Sequence, residues 1–226
     1  MKIYLPGRTI NLGRYGSLLL VLACLIICQP FVVTAVGKII LEALFIAALL
    51  AGLWAIKIQR KLFRFEIFLL VVSLLTGFAG TFFNQIALFG LGLAGEVLFL
   101  SIVAIVILLD LFRSKKVTGD TMAGAVCVYL LIALVWSYLY VLVELSFPGS
   151  FSFTQEQARM QLWLSKEFYS FFYFSLITMT TVGYGDMSPV STAARTCASL
   201  EAILGQIYLT ILVARLVGMH LVHQKE

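Results

Sequence analysis

Long stretches without a single charge constrain this chain more than any other feature. Residues 15–37 carry none, and neither do residues 67–95. A helix needs about 20 apolar residues to cross the hydrocarbon core of a bilayer. The first run fits one crossing, and the second exceeds what one crossing needs. Composition supports lipid as the solvent: 12% of the residues are charged and the mean hydropathy is +1.04, against about a quarter charged in a soluble domain. The net charge of +5 does not point to nucleic acid. Its members sit in short clusters between apolar runs, as loop charges of membrane proteins do.

The apolar runs predict six membrane helices. The first runs over Gly16–Val36, with Pro30 kinking it or marking its outer end, and the second over Gly37–Ile56, with Lys38 and Glu42 as a pair one turn apart. Lys57, Arg60, Lys61 and Arg64 form a basic loop. The long uncharged run is split near Asn84–Gly92, giving a third helix over Glu66–Phe83 and a fourth over Leu91–Phe112; Gly90, Gly92 and Gly95 are read as a tight outer turn. The fifth covers Thr121–Leu145 and the sixth Ala194–Leu216, with a short solvated tail, His220–Glu226, after it. Basic clusters recur at the N-terminus and after the second, fourth and sixth helices. That alternation puts both termini in the cytoplasm and makes the chain a multi-pass integral membrane protein.

The basic start is not a secretory signal, because the apolar stretch behind it is longer than a signal core. Cys24, Cys28, Cys127 and Cys197 all lie in apolar runs and read as small packing residues without a disulfide or metal.

Between the fifth and sixth helices an aromatic-rich run, Phe168–Thr180, is too short to span and reads as re-entrant. Non-helical backbone at membrane depth must line water or be buried in protein. The segment Thr178-Met179-Thr180-Thr181-Val182-Gly183-Tyr184-Gly185-Asp186 alternates glycine with larger residues at its end. Glycine takes left-handed backbone angles at no steric cost, and alternating hands turn successive carbonyls the same way. The carbonyls of Thr181, Val182, Gly183 and Tyr184, with the Thr181 hydroxyl, then form an oxygen ladder suited to a dehydrated monovalent cation. Val182 and Tyr184 point away and brace it. One chain supplies a quarter of such a cage, so four identical copies around an axis are expected. The preceding helix, Tyr169–Thr180, aims its negative carbonyl end at the path.

At these residues the chain resembles the potassium channel family. Thr181-Val182-Gly183-Tyr184-Gly185 is that family's selectivity-filter sequence, and the longer match Met179–Met187 is most similar to the six-helix members. The resemblance covers Thr121–Leu216. It implies an all-α membrane protein with a re-entrant pore helix and filter between the fifth and sixth helices, assembled as a homotetramer in the plasma membrane. K+ is the permeant ion and no cofactor is implied. The ion sites are Thr181, Val182, Gly183 and Tyr184, with Gly185 completing the filter. Thr180, Asp186 and Tyr173 are expected to support it, Tyr173 standing where the family often has tryptophan and Asp186 bonding to it. Ile177 stands where some members have an acid, so that bracing is absent. Gly205 matches a bending glycine and serves as hinge or as packing contact. Arg195 reads as a surface anchor.

The resemblance stops short of voltage sensing. Leu91–Phe112 holds no basic residue, only Glu96 and Asp110 near its ends, and both read as interfacial. The chain is thus divided into a four-helix non-sensing module (1–117), a pore domain (118–220) and a tail (221–226). A nucleophile–base pair and a metal-ligand cluster are both absent from the sequence, so no enzymatic activity is expected. A non-conducting regulatory subunit is the alternative, and the intact filter speaks against it. A transporter built of four covalent repeats does not fit a single two-glycine motif.

Overall fold

The apolar runs become helices in the computed structural model, which describes residues 2–5, 8–11, 13–27, 47–48, 51, 60–114, 117–153 and 165–223. Six helices are described: α1 (Arg14–Ile27), α2 (Arg60–Phe82), α3 (Ile86–Arg113), α4 (Gly119–Ser146), α5 (Ser165–Met179) and α6 (Thr192–His223). Three helical stretches, Leu62–Phe82, Ile86–Arg113 and Gly119–Ser146, are long and apolar enough to cross a membrane. Most of the expected second span, the end of the first, and Pro30, Lys38, Glu42, Lys115 and Lys116 lie outside the described residues.

The chain is predominantly helical, as expected, with four short strands besides among the described residues: β1 (Lys2–Leu5) pairs with β2 (Arg8–Asn11), and β3 (Phe151–Phe153) with β4 (Met187–Pro189), both antiparallel. The last helix is longer than expected. It runs to His223, so His220 belongs to a helix and not to a tail.

The chain divides into two compact units. The first comprises Met1–Glu66, Ile102–Leu130 and Leu212–Glu226. Here the first turn of α1 is closed by a side chain distant in sequence: the Tyr15 and Gly16 amides donate to Asp120 Oδ1 at 3.0 and 3.3 Å. A carboxylate at that position satisfies orphan amides and suits the positive end of the helix dipole. Gly13 leaves room for it, since a Cβ there would lie 2.0 Å from Asp120 Oδ1. Arg14 and Asp110 form an ion pair at 2.9 Å, and the Tyr15 hydroxyl donates to the same carboxyl oxygen. Arg215 Nη2 donates to the Ser114 carbonyl at 3.0 Å, with its guanidinium 4.7 Å from the Phe112 ring centroid. Thr118 and Thr121 cap α4 reciprocally: the Thr121 amide donates to Thr118 Oγ1, and the Thr118 amide to Thr121 Oγ1.

The second unit comprises Ile67–Ser101 and Leu131–Ile211. The break between α2 and α3 falls at residues 83–85, not at the glycines. Asn84 takes φ 52°, and the Gln85 amide donates to the Gly80 carbonyl at 2.8 Å, the pattern that ends a helix with one left-handed residue. Gly90, Gly92 and Gly95 lie inside α3. Their turn assignment is corrected by what faces two of them. A Cβ on Gly92 would lie 2.6 Å from the Gly77 nitrogen, and one on Gly95 2.6 Å from Ser73 Cβ; on α2, a Cβ on Gly80 would lie 2.3 Å from the Phe89 nitrogen. Small residues on both helices let their backbones meet, the usual device where lipid removes any hydrophobic drive to associate. Because α3 starts at Ile86, Glu96 falls in its third turn and not near its end. It accepts a hydrogen bond from the Tyr138 hydroxyl.

Candidate functional site

The short helix α5 is seated in an aromatic core. Phe171 and Phe174 pack with Trp136 and Tyr140 of α4, Phe151 of β3 and Met187 of β4. Tyr140 meets Phe174 edge-on at 5.2 Å and Phe151 at 5.4 Å, while Phe151 meets Phe171 at 4.9 Å. Such edge-to-face pairs are worth about 0.5–1.5 kcal/mol each beyond area burial. They fix α5, the helix that precedes residues 180–186.

The strand pair β3–β4 fixes the chain on the far side of residues 180–186. Phe151 is opposite Pro189, and Phe153 opposite Met187. Beyond the pair, the Val190 amide donates to the Ser150 carbonyl at 2.7 Å. Glu144 closes the turn leading into β3, accepting from the Gly149 and Phe151 amides at 2.7 and 3.2 Å. Arg195, exposed at the start of α6, donates through Nε to the Pro189 carbonyl at 3.2 Å and so ties down the strand end. Ser191 caps α6 through the Ala194 amide at 3.2 Å.

Thr180 to Asp186 lies between these two fixed elements, and every residue of it is exposed within the single chain. Thr181, Gly183 and Gly185 have φ of 59°, 52° and 78°. Val182 and Tyr184 between them are not in the positive region, so the backbone alternates in hand along the segment. Glycine was expected to supply the alternation at two positions. Thr181 adds a third, and positive φ at a β-branched residue is strained.

A set of hydrogen bonds holds it there. The Val182 and Gly183 amides donate to the Ile177 carbonyl at 2.9 and 3.2 Å, the Thr181 amide to Thr178 at 3.0 Å, and the Thr180 amide to Leu176 at 3.0 Å. The Thr180 hydroxyl also donates to the Leu176 carbonyl at 2.6 Å. Several of the last carbonyls of α5 are therefore occupied within the chain. At the far end, the Tyr173 hydroxyl donates to Asp186 Oδ2 at 2.8 Å and the Met187 amide to Asp186 Oδ1 at 3.1 Å.

Gly205 sits in the unbroken helix α6. A Cβ there would approach the Met179 carbonyl oxygen to 3.1 Å, so its missing side chain lets α6 lie against the end of α5. One turn earlier is a residue the sequence reading passed over. Glu201 is fully buried, with its carboxyl hydrogen-bonded to the Tyr140 and Ser175 hydroxyls. Its signal was present, since it is the only charge between Arg195 and Arg215, and a lone ionisable residue in a long apolar run is rarely idle. No group of three or more His, Cys, Asp or Glu suited to a metal occurs among the described residues.

Comparison with known families places this arrangement. The family model described as an ion channel matches residues 124–220, from the early turns of α4 through α5 and residues 180–186 into the last turn of α6. No curated protein and no solved structure matches the chain. Over residues 124–220 the chain is similar to the ion channel family, and it carries helices long and apolar enough to cross a membrane.

Proposed function

We propose that the protein is a potassium-selective channel subunit that conducts K+ passively as a homotetramer of six-span chains. The observation that carries this reading is the alternation of backbone hand at Thr181, Gly183 and Gly185, inside the stretch similar to ion channels. Main-chain oxygens of Thr181, Val182, Gly183 and Tyr184, with the Thr181 hydroxyl, replace the water around a K+ ion. Gly185 completes the segment, and Thr180, Tyr173 and Asp186 hold its two ends.

Four copies are needed to close each ring of oxygens. Exposure supports this. Val182 and Tyr184 are 50% and 72% exposed in the single chain, and a neighbouring subunit is what covers them. In this reading residues 1–117 form a membrane module without a steep voltage response, residues 118–220 form the pore, and Gly205 is where α6 bends as the pore opens. Both termini face the cytoplasm and the membrane is the plasma membrane.

The test is ion flux through the purified protein in liposomes, under opposing K+ and Na+ gradients. A reversal potential that tracks K+ is expected. Equal permeability to the two ions overturns the filter assignment. Silence of the pure chain, with conduction only beside other channel subunits, identifies a regulatory subunit instead.

A further inference from the structure

Three helices meet at one carboxyl behind the filter. Tyr140 of α4 and Ser175 of α5 each hydrogen-bond one oxygen of Glu201 on α6. Ser175 Oγ also lies 2.9 Å from the Ala133 carbonyl oxygen, and Ser137 Oγ lies 2.6 Å from that same oxygen. Tyr140, Ser137, Ser175 and Glu201 are all fully buried.

The protons can be counted. Four oxygen–oxygen contacts, each with its own hydrogen, need four protons. The hydroxyls of Tyr140, Ser175 and Ser137 supply three, and neither a carbonyl nor an ionised carboxylate supplies any. A proton on Glu201 supplies the fourth. With that proton in place, Tyr140 donates to one carboxyl oxygen, the acid donates to Ser175, Ser175 donates to Ala133, and Ser137 donates to the same carbonyl. Without it, the single Ser175 hydrogen is shared between Glu201 and the Ala133 carbonyl, and each bond is weaker. Among the described residues Glu201 forms no ion pair. The titratable groups facing it are Tyr140 from α4 and Cys197, one turn earlier on α6; from α5 it meets the Ser175 hydroxyl.

A second contact extends the first. Gly205 comes four residues after Glu201 and Met179 four after Ser175, and Gly205 packs on Met179. Residues four apart share a helix face, so α6 lies along the helix that ends in the filter, with the carboxyl as the polar fastening.

We propose that Glu201 is a proton-holding positioning residue. As a neutral acid it fastens α6 to the filter-bearing helix, and loss of its proton loosens the filter. The second half rests on the potassium-channel reading; the first does not.

The test compares the whole chain with Glu201→Gln and Glu201→Val in liposomes, from mildly acidic to alkaline conditions. A glutamine amide donates to Ser175 and accepts from Tyr140, so Glu201→Gln keeps its K+-over-Na+ flux ratio across the range. The native protein loses that ratio by about tenfold as the medium turns alkaline, the scale of one lost buried hydrogen bond. Glu201→Val lacks it throughout. Infrared difference spectra of native against Glu201→Gln protein read the proton directly, as a protonated carboxylic acid stretch present only in the native protein. Absence of that band, identical alkaline profiles for native and Glu201→Gln, or native selectivity in Glu201→Val overturns the proposal. If the band is present but the native protein passes no K+, the proton assignment is supported and the channel reading fails.

Discussion

The Tyr173 hydroxyl donates to Asp186 Oδ2 across 2.8 Å, so α5 and the far end of the exposed segment after it hold each other. Tyr173→Phe deletes only that bond. A bond of this kind contributes about 0.5–1.5 kcal/mol, and partial exposure puts this one at the low end. The expected outcome is a few-fold faster decay of K+ flux when K+ is lowered, with little change in protein yield. Asp186→Asn keeps an acceptor oxygen and is expected to be milder than Asp186→Ala. Flux decay in Tyr173→Phe matching the native rate would remove this bond from the filter's support.

Gly183 and Gly185 hold φ of 52° and 78°, and a Cβ on either meets nothing within 4 Å in the single chain. An added methyl is opposed by backbone angle alone, at about 1–2 kcal/mol per residue. Gly183→Ala and Gly185→Ala are expected to lose selective K+ flux while the protein still inserts and purifies at native size. Normal conduction in both would show that the alternation of hand is not what positions the oxygens.

These glycines were legible because their requirement is local: a left-handed angle shows as a glycine in the sequence itself. Residues 90, 92 and 95 show where the same logic misleads. There glycine answers a neighbouring helix, and the turn is made by Asn84, whose tolerance of φ 52° leaves a weaker mark. The pairing of Phe151 with Pro189 has no local period to reveal it. Glu201 was passed over because its hydrogen-bond partners come from two other helices, and no spacing within α6 announces them. Among the described residues the third, fourth and fifth expected spans return as helices long and apolar enough to cross a membrane, since length and apolar composition are both read from the sequence directly.

The contact between α2 and α3 predicts a volume effect without a charge effect. Gly92→Val places atoms where the Gly77 backbone and the Ser73 carbonyl already are. Overpacking typically costs about 1–3 kcal/mol, more where backbone must shift. Lower thermal stability in detergent is expected, whereas Gly119→Ala, open on all sides within the chain, is expected to change little. Equal melting of Gly92→Val and native protein would refute the close contact.

Opening is expected to depend weakly on voltage. One charge crossing the full field is worth about 2.3 kcal/mol per 100 mV, and steep gating needs several per subunit. α3 carries no basic residue before Arg113. Its acids, Glu96 and Asp110, are tied to Tyr138 and to Arg14 with Tyr15, which holds them in place. Glu96 lies deeper in α3 than the sequence reading put it, so it is the residue to watch. Open probability across a voltage range in symmetrical K+ is the measurement. A steep sigmoid that flattens in Glu96→Gln would make this acid a sensor.

The backbone contact of Gly92 with Gly77 also bears on how this protein can change over generations. Where two side chains interlock, a larger residue on one helix is rescued by a smaller one opposite. Here neither partner has a side chain to give up. A substitution at Gly92 has no compensating mutation at position 77, so drift at position 92 is closed, while position 77, where an added Cβ meets nothing within 4 Å, stays open to change.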